Sequence, residues 1–432
     1  MRICVFGLWH LGSVTAACLS EHFQVIGCDY DGDEILRLAN GQAPVDEPGL
    51  SDLIRKGMLA ERLEFTSDIA NAATNADIIW ITFDTPVDSD DVADVEFVWR
   101  RATSLTPHLR DGQLVVISSQ VPVGFTRRLE NAFHSSRPGL QIGVAYSPEN
   151  LRLGKALDVF RKPERIVAGV NDDASRDKLT FLFRPFCERI EWMSIESAEM
   201  TKHAINAFLA TSVVFINEIA GICEKVGANA KEVERGLKSE GRIGPKAYLS
   251  PGGAFAGGTL ARDISTLSEV GEREHVNATL ISAVRASNDE HKKWALNRLR
   301  ELLGSVSGTT IAILGLTYKP GTDTLRRSAS VELCLALARE GASVRTYDPV
   351  VRQIPSELQC VTRYGDVDAA LDRADALVVA TEWPQFKLLS ADVLCQKMRR
   401  PVVIDANRFL GEQLGSDLRI QYVAVGSPGK VR

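Results

Sequence analysis

Gly7, Gly12 and Asp29 have the types and spacing to hold a nucleotide. The two glycines lie between an apolar run, Ile3 to Phe6, and a helical pattern beginning near Ser13. There the chain must turn tightly, and the free N–H groups of a helix N-terminus can receive a pyrophosphate. Asp29 ends a second apolar run, Val25 to Cys28, at the distance where a carboxylate accepts hydrogen bonds from a ribose 2′-hydroxyl and would repel a 2′-phosphate. The combination favours NAD over NADP. Trp9 occupies the place of the second glycine of such a turn, where a missing side chain normally lets the backbone approach the pyrophosphate. Taken alone, the turn therefore also fits a doubly wound fold that binds nothing. His10, beside it, is expected to pack or cap and to ligate nothing.

The elements that must position these residues follow from the apolar pattern. Short β-branched and apolar runs alternate with helical patterns through the first half: Ile3 to Phe6, Val25 to Cys28, Ile78 to Phe83, Leu114 to Ser118 and Ile142 to Ala145. That alternation predicts a parallel, doubly wound sheet. From Ser197 the strand signal disappears, and apolar residues recur at helical spacing over Ser197 to Val226 and Asn277 to Leu303. Strands resume at Thr309 to Leu314, Val344 to Tyr347, Ala376 to Ala380 and Val402 to Ile404. The expected fold class is α/β, with two Rossmann-like doubly wound domains, 1–196 and 305–432, joined by a helical middle domain, 197–304. No sequence repeat interrupts this, and the Gly-rich stretch Ser250 to Gly258 reads as an irregular loop.

Composition narrows the function. The chain has 432 residues, 45% of them hydrophobic and 25% charged, the proportions of an ordinary globular protein. A formal net charge of -6 supplies no basic field for a phosphate backbone, so nucleic acid is not an expected partner. The eight cysteines are scattered without metal-ligand spacing; they read as small buried hydrophobes in a reducing compartment, and no metal site is expected. Met1 leads directly into the first expected strand, so no secretory segment is expected. Asn206, Asn217 and Glu218 interrupt the most apolar helical stretch, Ala204 to Cys223, so no membrane span is expected and the cytoplasm is the anticipated location.

In chain order, Glu47-Pro48-Gly49-Leu50, Asp84-Thr85-Pro86, Ser119-Gln120-Val121-Pro122-Val123-Gly124 and Ser147-Pro148-Glu149-Asn150-Leu151-Arg152 resemble the UDP-glucose/GDP-mannose dehydrogenase family. So do Ala198-Glu199-Met200-Thr201-Lys202 with Asn206-Ala207-Phe208-Leu209, Arg242-Ile243-Gly244, and Gly257-Gly258-Thr259-Leu260-Ala261-Arg262-Asp263. Gly315-Leu316-Thr317-Tyr318-Lys319-Pro320-Gly321-Thr322-Asp323, Arg326, Thr381-Glu382-Trp383 and Asp405-Ala406-Asn407-Arg408 complete the set. The resemblance implies oxidation of the primary C6 alcohol of a nucleotide sugar to a carboxylate with two NAD, through an aldehyde held by an active-site cysteine. It further implies that Lys202 stabilises the developing oxyanion, that Asn206 orients it, that Asp263 positions a water or assists proton transfer, and that Glu149 acts in hydrolysis. Gly7, Leu11, Gly12, Asp29, Thr85, Pro86, Ser119 and Arg326 would bind the cofactor. Asn150, Leu151, Arg152, Arg242, Gly257, Lys319 and Arg408 would bind the nucleotide-sugar substrate. The long middle helices would form a homodimer. Independently of the family, Lys202 and Asn206 are four apart on one helix, so both can face one reacting oxygen. A helix-terminal acid is the plain alternative for Asp263, and a turn carboxylate for Glu149.

Aligning the Gly-rich loop with that of the family puts Thr259 where the nucleophilic cysteine belongs. A hydroxyl is a far weaker nucleophile than a thiol, which already has some thiolate at neutral pH. Gln120 replaces a family threonine, Asn150 an aromatic, Leu153 an acid and Arg262 a lysine, in the same motifs. Four readings follow: a single two-electron oxidation releasing an aldehyde; oxidation of a secondary alcohol to a ketone; oxidation to the acid through the aldehyde hydrate, with Thr259 holding water; and a non-catalytic nucleotide-sugar-binding or regulatory protein.

Overall fold

A computed structural model describes residues 1–88, 93–149 and 151–428, in two compact units, Met1–Ala204 and Ile205–Arg432. In the first, strands β1 (Arg2–Phe6), β2 (Gln24–Cys28), β3 (Leu63–Thr66), β4 (Ile78–Ile81), β5 (Leu114–Ile117), β6 (Gly143–Tyr146), β7 (Ile166–Gly169) and β8 (Ile190–Met193) form one sheet in the order β3-β2-β1-β4-β5-β6-β7-β8. All pairings are parallel except β6 with β7, which meet antiparallel at Tyr146 and Gly169. Side chains alternate between the two faces, and both faces are covered. Ile3, Val5, Ile78, Trp80, Leu114 and Val116 join one core cluster, and Cys4, Phe6, Ile79, Ile81, Val115 and Ile117 the other. Each such aliphatic side chain contributes about 1.5–3 kcal/mol on burial.

The helices of this unit are α1 (His10–Leu19), α2 (Gly32–Ala39), α3 (Leu50–Leu59), α4 (Ile69–Thr74), α5 (Val95–Thr103), α6 (Phe125–Ser136), α7 (Ala156–Arg161) and α8 (Asp173–Phe183). Helix α1 starts at His10 rather than near Ser13, because the Ser13 hydroxyl and N–H both donate back to the Trp9 carbonyl at 2.8 and 2.9 Å. The strand expected to reach Phe83 ends at Ile81, where the Thr82 hydroxyl turns to the Gly7 carbonyl at 2.7 Å.

Helix α9 (Ile195–Val226) runs across the division between the units. Its most apolar 18-residue window has a mean hydropathy of 1.6, enough by length and composition to cross a bilayer. In the second unit, however, it acts as a core helix: Ala207, Ala210 and Val214 pack with Ile264 and Val284, and Ala220 and Cys223 with the C-terminal sheet. Helices α10 (Ala230–Ser239), α11 (Thr259–Arg273), α12 (Thr279–Lys292), α13 (Trp294–Leu303) and α14 (Ala329–Arg339) follow. The expected single helical stretch Asn277 to Leu303 is thus two helices meeting at Lys293, since the apolar period carries on through Trp294 while the backbone breaks.

The second sheet, β9 (Thr310–Leu314), β10 (Ser343–Tyr347), β11 (Val361–Arg363), β12 (Ala376–Val379), β13 (Val402–Ile404) and β14 (Gln421–Val423), has the order β11-β10-β9-β12-β13-β14. This repeats the order of the first six strands of the other sheet, a likeness invisible as sequence repetition. The likeness extends to a carboxylate after the second strand. Asp29 follows β2 and accepts the Leu8 N–H at 2.6 Å; Asp348 follows β10 and accepts the Leu316 N–H at 2.7 Å. Asp348 is buried, and it also accepts from Thr317, Val350, Val351 and the Trp383 indole.

Five of the eight cysteines are buried, as expected of small hydrophobes; burial pushes the Cys18 thiol up to about 12. Cys187 and Cys395 are half-buried and Cys360 is exposed, a departure that follows from its place just after the short helical turn Ser356–Leu358 on the surface. No cluster of metal-ligating side chains occurs among the described residues.

Candidate active site

The strand order of the first unit reverses between β1 and β4, and there the carboxyl ends of neighbouring strands open a crevice. Gly7 sits just past β1 with φ +101°, and a Cβ on it would lie 2.8 Å from the Phe83 backbone nitrogen. A Cβ on Gly12 would overlap the Gly7 carbonyl oxygen. The turn therefore admits only glycine at both positions, and it leaves the N-terminus of α1 open to an anion. Asp29 accepts from the Leu8 and Tyr30 N–H groups, each at 2.6 Å, so its half-exposed carboxylate stiffens this turn. Leu11 is buried and Trp9 is 51% exposed. The Thr85 hydroxyl donates to the Gln120 carbonyl at 2.6 Å, joining the loops that follow β4 and β5, and the Pro86 carbonyl accepts from the Asp94 N–H at 2.8 Å, just before α5. Ser119 is fully buried at the end of β5, and its hydroxyl has no partner among the described residues. A glycine cradle, a helix N-terminus, an acidic residue after β2 and an unsatisfied hydroxyl fit a dinucleotide.

The first turns of α9 fasten the loops at this edge. Glu199, Lys202 and His203 share one helical face by their spacing. Glu199 is fully buried and accepts from Gly124 at 2.6 Å and Thr126 at 2.9 Å, capping α6. Burial holds its carboxyl above the usual range, against the pull of those hydrogen bonds. The His203 ring meets the Val121 carbonyl at 3.0 Å. The Lys202 ammonium, 7% exposed, donates to the Glu149 carbonyl at 2.6 Å and lies 3.3 Å from its carboxylate. The other Glu149 oxygen accepts from Leu151 at 2.7 Å. Leu151 is half-buried and Arg152 exposed; Asn150 lies outside the described residues.

In the second unit, Asn206 donates to Asp263, which is fully buried in the second turn of α11. Thr259 is the first residue of that helix, one turn before Asp263, and it is exposed. The Gly-rich stretch before it is indeed irregular, and it is held from several sides. Gly253 donates to the Asn407 side chain at 2.7 Å, Gly252 donates to Asn217 at 3.0 Å, and the His291 ring meets the Gly252 carbonyl at 2.8 Å. Gly257 lies against the Arg327 side chain, which a Cβ would meet at 2.9 Å. A cleft at the carboxyl ends of β9, β12 and β13 is lined by Gly253, His291, Thr317, Tyr318, Ala406 and Asn407, again at the reversal point of its sheet. Arg408, at φ +62°, donates to the Val425 carbonyl at 2.9 Å, and burial lowers its pKa. Lys319 lies over the Tyr318 ring. Arg242 and Arg326 are exposed; Arg242 pairs with Glu240.

Models of the three domains of one family match in order: "UDP-glucose/GDP-mannose dehydrogenase family, NAD binding domain" over residues 1–187, its central domain over 196–290 and its UDP binding domain over 312–412. The chain is 35% identical to the UDP-glucose 6-dehydrogenase of Pseudomonas aeruginosa, covering 99% of this chain and 98% of that one. The chain belongs to this family. It is also 35% identical to the UDP-glucose 6-dehydrogenase TuaD of Bacillus subtilis, over 99% and 93% of the two chains. A solved UDP-glucose dehydrogenase from the archaeon Pyrobaculum islandicum superposes with a TM-score of 0.86 at 29% identity, covering 99% of this chain and 98% of that one.

Membership in the UDP-glucose/GDP-mannose dehydrogenase family makes the protein an NAD-dependent oxidoreductase acting on CH–OH, with a C-terminal domain for the nucleotide of its substrate. The residues that hold this dehydrogenase's loops in place were not singled out by sequence reasoning: Glu199, His203, Asn407 and His291. Glu199 and Asn407 stand inside quoted motifs, so a signal for them existed. His203 and His291 are isolated histidines whose carbonyl partners lie 82 and 39 residues away, and nothing local marks them.

Proposed function

We propose that the protein oxidises one hydroxyl of a UDP-type nucleotide sugar, as a UDP-glucose 6-dehydrogenase does, but removes a single hydride per sugar. Bound NAD supplies the hydride acceptor. An ammonium carries three N–H donors; Glu149 takes two from Lys202, and the third is left for the oxygen on which negative charge develops. Asn206 and Asp263 form a buried polar pair that positions a water to carry the hydroxyl proton away. The observation that carries the single oxidation is Thr259. It presents an exposed hydroxyl one turn from Asp263, and neither α11 nor the Gly-rich loop contains a cysteine to capture an aldehyde. Without thioester formation a second oxidation has no covalent intermediate to draw on.

The test is the yield of NADH when purified protein meets NAD and a panel of UDP- and GDP-sugars. One NADH per sugar is expected. Two would replace the single oxidation with acid formation through the hydrate, and none, with tight nucleotide-sugar binding, would sink the catalytic reading. A homodimer is part of the proposal. Phe208, Phe215, Ile222 and Val226 lie along one side of α9 at 44–70% exposure, an apolar stripe suited to a second copy. Light scattering should give twice the chain mass; a monomer at micromolar concentration would refute it. Membrane and nucleic acid have no place in this reading.

A further inference from the structure

The motif Glu47-Pro48-Gly49-Leu50 plays no part in the chemistry above, yet its carboxylate is nearly inaccessible, at 1% side-chain exposure. One Glu47 oxygen accepts from the Ala156 N–H at 2.8 Å. The other accepts from Gly154 at 2.8 Å and meets the His10 ring nitrogen at 3.2 Å. A single carboxylate thus grips the start of α7, which ends the loop carrying Glu149 to Arg152, and the first residue of α1, which ends the glycine turn. Hydrogen bonds to an ionised acceptor are the stronger kind. The far end of α7 is fixed to the same neighbour: Arg161 makes a two-pronged pair with Glu21, just past α1, at 2.8 and 3.0 Å. Helix α7 is therefore fastened to both ends of α1, and a displacement of the α1 N-terminus must be passed to the loop behind Glu149.

We infer that Glu47 is a positioning residue that, through His10, couples NAD at the glycine turn to the conformation of the Glu149 loop. That this loop meets the sugar rests on the proposed function; the coupling itself does not. NAD supplies phosphate charge at the N-terminus of α1, His10 moves with that turn, and Glu47 holds Gly154 and Ala156 to it.

The test is amide hydrogen exchange on the full chain, with and without saturating NAD. In the unaltered protein NAD should slow exchange at Gly154 and Ala156 by about fivefold or more, the lower range of ordinary coupling between sites. His10→Phe keeps both Glu47 caps and removes the link. It should still bind NAD and protect the glycine turn, while the protection factor at Gly154 and Ala156 falls to about 1. His10→Gln, which retains an N–H donor, should restore it. Equal protection in His10→Phe and the unaltered protein, absence of NAD-dependent protection in the unaltered protein, or loss of NAD binding in both variants would each overturn the inference. Because exchange needs only NAD, a failure of the nucleotide-sugar reading leaves this result readable. In turnover the same His10→Phe change should raise the KM for the nucleotide sugar with kcat at saturation little altered, a split that general loosening of the fold does not produce.

Discussion

Replacing Lys202 by methionine keeps the aliphatic stem and removes the charge. In the folded protein the ammonium is 7% exposed and serves the Glu149 carbonyl at 2.6 Å and its carboxylate at 3.3 Å. Leaving a buried acceptor unmet costs about 1–3 kcal/mol, and each kcal/mol lowers Tm by about 2–4 °C in a unit of about 200 residues such as Met1–Ala204. The larger effect is expected on rate. Loss of one preorganised donor to a developing oxyanion costs about 10²–10³ in kcat, or about 2.7–4 kcal/mol. The assay is NADH absorbance at saturating NAD and nucleotide sugar, with Tm measured alongside. A kcat reduced by two to three decades with the fold retained is the expected outcome. A kcat within about fivefold of the unaltered protein, despite the expected drop in Tm, would show that Lys202 serves only to hold Glu149, and the oxyanion argument would fail.

Gly12→Ala places a methyl group on the Gly7 carbonyl oxygen, a backbone atom that cannot swing aside; NAD affinity by calorimetry should fall at least tenfold, and stability by about 1–3 kcal/mol. Thr259→Cys should raise the yield of NADH from one toward two per sugar if an aldehyde forms beside α11, and an unchanged yield would point to a ketone product. Burial holds the Glu199 carboxyl above its unfolded value of 4.5, so its contribution to stability is complete below that pH and is lost as the pH rises through the folded pKa. Thermal midpoints measured upward from pH 4 should therefore shift in favour of Glu199→Gln, and parallel curves would contradict this. His291 behaves in the opposite sense. Burial lowers its pKa below 6.5, so acidification below 6.5 charges the unfolded form first and destabilises the protein; His291→Gln should flatten that acid limb.

What the sequence made legible was local. Gly7, Gly12 and Asp29 are marked by short spacings around two strands, and each stands where those spacings imply. The alternation of apolar runs gave nine of the fourteen described strands to within a few residues, and missed β3, β7, β8, β11 and β14, which are short and, apart from β7, carry exposed or half-buried residues that break the apolar run. Pairings across the chain were a different matter. Lys202 meets Glu149 across 53 residues and Asn206 meets Asp263 across 57; periodicity fixes which face of a helix such residues occupy, but only the topology decides what faces them. Glu47 was visible as part of a motif and silent about its task, because a carboxylate that caps a distant helix looks like any loop acid. The helix break at Lys293 was missed for a related reason: apolar spacing continues through it, and no glycine or proline marks it.

The two sheets share a strand order and a carboxylate after the second strand, but Asp29 is half-exposed whereas Asp348 is sealed among five N–H donors. A ribose diol offered to Asp348 would have to displace donors already in place and pull a buried charge toward solvent, an exchange with no net gain in hydrogen bonds. The second sheet is thus closed to the adenosine end of a dinucleotide by its own interior. The discrimination between two sockets of the same architecture is made in the core rather than at the surface.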